Sequence, residues 1–111
     1  MKNNVLHGRD ATIASSVKSV VRDILPDAEV VLYGSRARGD ARADSDWDFL
    51  ILSDEPKTSA LDEKVLIAIY ELSLDFAETI VTFVENRQEW QTPLAKASPY
   101  HQNIDREGIN V

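Results

Sequence analysis

The chain has 111 residues, with 19 acidic against 12 basic side chains, a formal net charge of -7 and a pI near 4.7. An acidic surface repels a phosphate backbone, which argues against broad nucleic-acid binding, and the lack of cysteine excludes disulfides and thiolate metal sites. No apolar run approaches the ~18 residues that span a bilayer, and the polar stretch Met1 to Asp10 lacks the apolar centre of a signal peptide, so the expectation is one soluble, cytoplasmic domain over residues 1–111 with its own core.

Asp10 reads as the cap of a first helix, with Ile13, Val17, Val20, Val21 and Ile24 at helical spacing and Pro26 ending it. Glu29 to Tyr33 reads as a short buried strand closed by Gly34-Ser35. Arg36 to Ser45 is polar and reads as a loop or short helix. Asp46 to Leu52 reads as a second strand, polar at its start and apolar after, and Ser53 to Pro56 is a turn. Thr58 or Ser59 caps a helix carrying Leu61, Val65, Leu66, Ile69 and Leu72. Thr79 to Val84 is a third strand, rich in β-branched residues. A helical stretch from Arg87 to Leu94 around Trp90 follows, and Pro99 opens a last helix that Gly108 stops. Alternating helices and strands predict an α/β or α+β sandwich.

Chemistry concentrates around the second strand. Glycine lets the chain turn sharply and approach a ligand closely. After Gly34, the following amides and the Ser35 hydroxyl can donate to phosphate oxygens. Arg36 and Arg38 add guanidinium groups, which grip phosphates in a bidentate way. Asp46 and Asp48 stand at i and i+2 of a strand, so both side chains point to one face with Cα atoms roughly 6.6 Å apart. Trp47 points to the other face and packs. Two carboxylates ~5 Å apart repel by about 3 kcal/mol at an effective dielectric of ~20. A divalent cation relieves that repulsion, and hard oxygen ligands beside phosphates favour Mg²⁺. Metal-assisted phosphoryl or nucleotidyl transfer fits such a site. A Gly-Ser turn, a strand-end Asp-x-Asp or two surface arginines are each ordinary alone; here they converge in one order.

Gly34-Ser-Arg-Ala-Arg-Gly39 followed by Ser45-Asp-Trp-Asp48 resembles the signature of the minimal nucleotidyltransferases of the DNA polymerase β superfamily: Gly-Ser, about ten residues, then Asp-x-Asp. The resemblance implies a mixed sheet with helices packed on one side. It implies that Asp46 and Asp48 bind catalytic Mg²⁺ and that Gly34 and Ser35 hold a nucleoside triphosphate, with ATP expected. Arg38 matches a basic position near the phosphates, Arg36 is a second basic candidate, and Ser45 is either a contact or a buttress for the aspartates. The family adds a third carboxylate from the next strand, as metal ligand and base. Thr79 to Val84 has none; Glu78, just before it, is the candidate, and Asp75 a more remote one.

Small stand-alone members resemble the antitoxin half of toxin–antitoxin modules, whose partner is an all-helical HEPN protein and whose acceptor can be a tyrosine of that partner. Two functions are therefore expected. One is an enzyme that moves NMP from an NTP to a hydroxyl. The other is an antitoxin-like binding module with a weak site that still binds nucleotide; the net negative charge reads either as solubility alone or as attraction for a basic protein partner. His7 and His101 match no ligand spacing and read as surface residues, while Tyr33, Trp90 and Tyr100 read as packing residues.

Overall fold

In a computed structural model that describes residues 1–111, the elements follow in the order α1 (Gly8–Ile24), β1 (Glu29–Tyr33), α2 (Ser35–Arg38), β2 (Trp47–Ser53), α3 (Ser59–Phe76), β3 (Ile80–Asn86), α4 (Arg87–Trp90), α5 (Pro93–Lys96), α6 (Pro99–Glu107) and β4 (Ile109–Asn110). The four strands form one mixed sheet in the order β3-β2-β1-β4. β1 pairs antiparallel with β2 and with β4, whereas β2 and β3 run parallel because α3 carries the chain back across the sheet.

Residues of each strand alternate between two faces. Val30, Leu32, Trp47, Phe49, Ile51 and Ile80 face the long helices, where they meet Ile13, Val17 and Val21 of α1 and Val65 and Ile69 of α3. Trp47 and Phe49 are fully buried, their rings stacked 6.4 Å apart. Burying each contributes about 2–3 kcal/mol relative to exposure. Val31, Leu50 and Leu52 face the other way and pack with Trp90 of α4 and Ile104 of α6. The long helices thus lie on one side of a mixed sheet, as expected. The short C-terminal helices add a partial cover on the opposite side.

Local chemistry sets the element ends. Thr58 caps α3, its side chain accepting from the Leu61 amide at 3.2 Å. α1 begins earlier than expected: its cap is His7, which supplies no side-chain hydrogen bond, and Asp10 sits within the first turn. An acidic group there complements the helix dipole without capping it. The expected helix from Arg87 to Leu94 is two short ones, because Thr92 starts a new cap by accepting from the Ala95 amide at 3.3 Å, with Pro93 next. His101, expected at the surface, is buried and stacked on Trp90 with ring centroids 4.0 Å apart, its Nε2 3.2 Å from Asp105. His7 is exposed as expected.

Candidate active site

The site lies where β1 ends, α2 begins and β2 starts. Tyr33 stands opposite Asp48 in the β1–β2 register, so Gly34 emerges directly beside that carboxylate. Gly34 has φ +76, and a Cβ built on it would come 2.6 Å from Asp48 Oδ2. Glycine is required there twice over, for the left-handed backbone and for the space. The turn then enters α2, whose end is closed by Gly39 at φ +86 with its amide donating to Ser35.

Asp48 belongs to the face of Leu50 and Leu52, and Trp47 to the helix-covered face. Asp46 lies one residue before β2 and is exposed. Neither aspartate forms an ion pair within the chain. Burial pushes the Asp48 carboxyl above its ordinary range, the Asp46 charge pushes it further, and Arg38 opposes both. Two hard oxygen donors without an ion-pair partner fit one Mg²⁺ whose other ligands would come from phosphates and water. No three His, Asp or Glu side chains gather as a ready-made metal cluster.

Arg38 is on the site side, exposed, pairing with Asp40 at 3.3 Å and Glu107 at 3.2 Å. Arg36 is not. α2 is a single turn, and residues two apart on a helix diverge by about 200°. Arg36 stacks over Trp47 at 4.7 Å, donates to the Ser45 carbonyl at 3.0 Å and the Ala43 carbonyl at 3.3 Å, and lies 3.5 Å from Glu78. It pins the loop that delivers Asp46 instead of reaching for phosphate. Ser45 buttresses the same loop, its hydroxyl accepting from the Arg42 amide at 2.8 Å.

Glu78 does not join the aspartate pair. It sits by the Trp47 side of the sheet, 11 % exposed, clamped between Arg9 and Arg36. The Arg9 hydrogen bond holds its carboxyl below the ordinary range. Arg9 lies 69 residues away in the chain, so no local pattern announces this pairing. The strand position beside Asp48 is Val81, its partner in the parallel β2–β3 register. An apolar residue therefore stands where a third carboxylate from the next strand would.

Two features went unnoticed in the sequence. Glu107, at the end of α6, accepts from the Gly34 amide at 3.3 Å and pairs with Arg38. On the same face, Tyr33 and Tyr100 meet edge-on at 5.6 Å with hydroxyls 3.2 Å apart, and Phe83 lies 6.3 Å from Tyr100. Burial pushes both tyrosine hydroxyls above their ordinary range. The largest cavity, about 540 Å³, lies elsewhere, between α3 and the start of β3, lined by Leu66, Tyr70 and Leu74 among others. Its lining is mostly apolar, and its one charged residue, Glu78, is an anion and offers no cation to a phosphate.

The nucleotidyltransferase domain family matches residues 14–105. The chain belongs to that family. A probable protein adenylyltransferase, MntA of Haemophilus influenzae, is 26% identical over 80 residues, covering 72% of this chain and 70% of that protein. The protein adenylyltransferase MntA of Aphanizomenon flos-aquae is 61% identical over a shorter stretch of 28 residues, 25% of this chain and 19% of that protein. A crystal structure of a toxin–antitoxin with AMP-PNP superposes with a TM-score of 0.60 at 14% identity, covering 86% of this chain and 68% of that one; the likeness is one of fold. This nucleotidyltransferase domain is a transferase of nucleoside monophosphate groups, built on the α+β mixed sheet described above. No helix is long and apolar enough to cross a membrane.

Proposed function

We propose that the chain transfers AMP from ATP to a hydroxyl of a partner protein, with a HEPN-type toxin as that partner. Asp46 and Asp48 hold Mg²⁺, and Gly34, Ser35 and Arg38 hold the triphosphate. The observation that carries this reading is the contact between Gly34 and Asp48, where a Cβ would sit 2.6 Å from the carboxylate. It supports the reading by setting the turn against one of the two aspartates proposed to hold the metal. The relatives described as protein adenylyltransferases support AMP and a protein acceptor. The likeness to a toxin–antitoxin with AMP-PNP supports an adenine nucleotide and a toxin partner.

In the reaction, the acceptor oxygen attacks the α-phosphorus, the bond to the β-phosphate breaks, and pyrophosphate leaves with the electron pair. The acceptor proton passes to solvent, because Glu78 is held by two arginines on the other side of β2. Mg²⁺ bound at the aspartates supplies charge neutralisation on the phosphates. The protein supplies placement: Gly34 lets the triphosphate approach the backbone, Arg38 offers a guanidinium, and Arg36 and Ser45 fix the loop that ends in Asp46.

Val81 beside Asp48 favours a second reading, a slow enzyme or an antitoxin-like module that binds nucleotide and partner without rapid turnover. Incubation with Mg²⁺, ATP labelled on the α-phosphate and the neighbouring gene's product separates the two. Label on the partner, lost in Asp46→Asn with Asp48→Asn, supports the enzyme. Partner binding without label, equal in both proteins, supports the module.

A further inference from the structure

The two groups best placed to grip a phosphate already hold an anion from the chain itself. Glu107 Oε1 lies 3.3 Å from the Gly34 amide nitrogen and 3.2 Å from Arg38 Nη1, and Oε2 lies 3.5 Å from the same guanidinium nitrogen. The Glu107 side chain is 14 % exposed, so this is an inward-turned carboxylate and not a surface contact. It arrives from the end of α6, 73 residues from Gly34, just before the chain turns at Gly108 into β4. A carboxylate offers two acceptor oxygens on one centre, as a phosphate does, and charge-assisted donors serve either.

We infer that Glu107 occupies the place of the phosphates beyond the transferred one and thereby sets how strongly the site prefers a nucleoside triphosphate over a monophosphate. This rests on the nucleotide site proposed above. The transferred phosphate must lie by Asp46 and Asp48, so the rest of the triphosphate extends toward Gly34 and Arg38. There it meets Glu107. The ligand must turn the carboxylate away or accept its repulsion. A monophosphate, confined to the aspartate end, has no phosphate at that place and feels neither. Glu107 is a long side chain on the last residue of a helix, so it can rotate out without unfolding α6.

The test is calorimetric titration of the wild type, Glu107→Gln and Glu107→Ala with a non-hydrolysable ATP analogue and with AMP, all in Mg²⁺. Glu107→Gln keeps an acceptor on the Gly34 amide and removes the charge. Losing one charge-assisted competitor corresponds to about a tenfold gain in affinity. Both variants should bind the ATP analogue about tenfold tighter than the wild type, with AMP affinity unchanged. The Arg38→Ala background, which removes the shared guanidinium, should shrink the gain. Unchanged or weaker binding of the ATP analogue, or an equal gain for AMP, overturns the inference while leaving the nucleotide site standing. Absence of binding by all three proteins overturns the site and the inference together. Melting curves without ligand identify a variant that has lost its fold, and the alanine variant then carries the comparison.

Discussion

Gly34 and Asp48 share one volume: the hydrogen of the glycine leaves the 2.6 Å that a methyl group would otherwise contest with the carboxylate oxygen. The turn proposed to hold phosphate and the strand proposed to hold metal therefore meet at this contact. Replacing Gly34 with alanine adds a Cβ both to that contact and to a backbone at φ +76. The expected cost is about 1–3 kcal/mol of stability, visible as a lower Tm, together with loss of ATP binding. A variant that melts and binds like the wild type would separate the turn from the site.

Asp48 has a carboxyl pushed upward by burial and by Asp46. The folded state therefore binds that proton more tightly than the unfolded chain does. The resulting penalty is absent in acid and grows as pH rises through the carboxylate range. Asp48→Asn should raise the Tm by roughly 2–4 °C at pH 7, with the gain fading toward pH 3, while abolishing Mg²⁺-dependent nucleotide binding. Thermal melts across that range check the sign. A lower Tm at pH 7 would count against the unpaired, partly buried carboxylate described here.

Glu78 runs the opposite way. The Arg9 hydrogen bond depresses its carboxyl, so its stabilisation is present above the unfolded pKa and is lost as pH falls through the folded one. Glu78→Gln should cost about 1–2 kcal/mol at neutral pH, with the two melting curves converging in acid. Its affinity for a Mg²⁺–ATP analogue should stay within about twofold of the wild type. A collapse of nucleotide binding at unchanged Tm would return Glu78 to the metal site.

Val81 is in register with Asp48 on β3. Val81→Asp should place a carboxylate beside the pair and raise label transfer about tenfold or more, since a positioned base contributes at least that much. Comparing transfer rates of Val81→Asp and the wild type checks this. No change in rate with the fold intact would mean that a base from this strand does not limit turnover.

Much of this site was legible in the sequence because it is local. Gly34, Ser35, Asp46 and Asp48 announce themselves through a short spacing, and the buried strands through the unbroken apolar runs Val30–Leu32 and Phe49–Leu52. What was missed depends on long-range pairing. Arg9 meets Glu78 and Glu107 meets Gly34 only once α1 and α6 have packed. Val81 faces Asp48 only through the parallel register that α3 imposes. Arg36 reads as a phosphate candidate because its sequence neighbours do; a single helical turn sends it to Trp47 instead. The short strand β4 has two residues and owes its existence to the edge of β1, not to its own propensity.

The central proposal is one metal–nucleotide site shared by the Gly34 turn and the Asp46–Asp48 pair. Calorimetric titration of a non-hydrolysable ATP analogue, with Mg²⁺ and with chelator, into the wild type and into Asp46→Asn with Asp48→Asn measures it directly. The wild type should bind with Mg²⁺ and lose at least about tenfold in affinity with chelator, while the double variant should show no Mg²⁺ dependence. Equal, Mg²⁺-dependent binding by both proteins would contradict it.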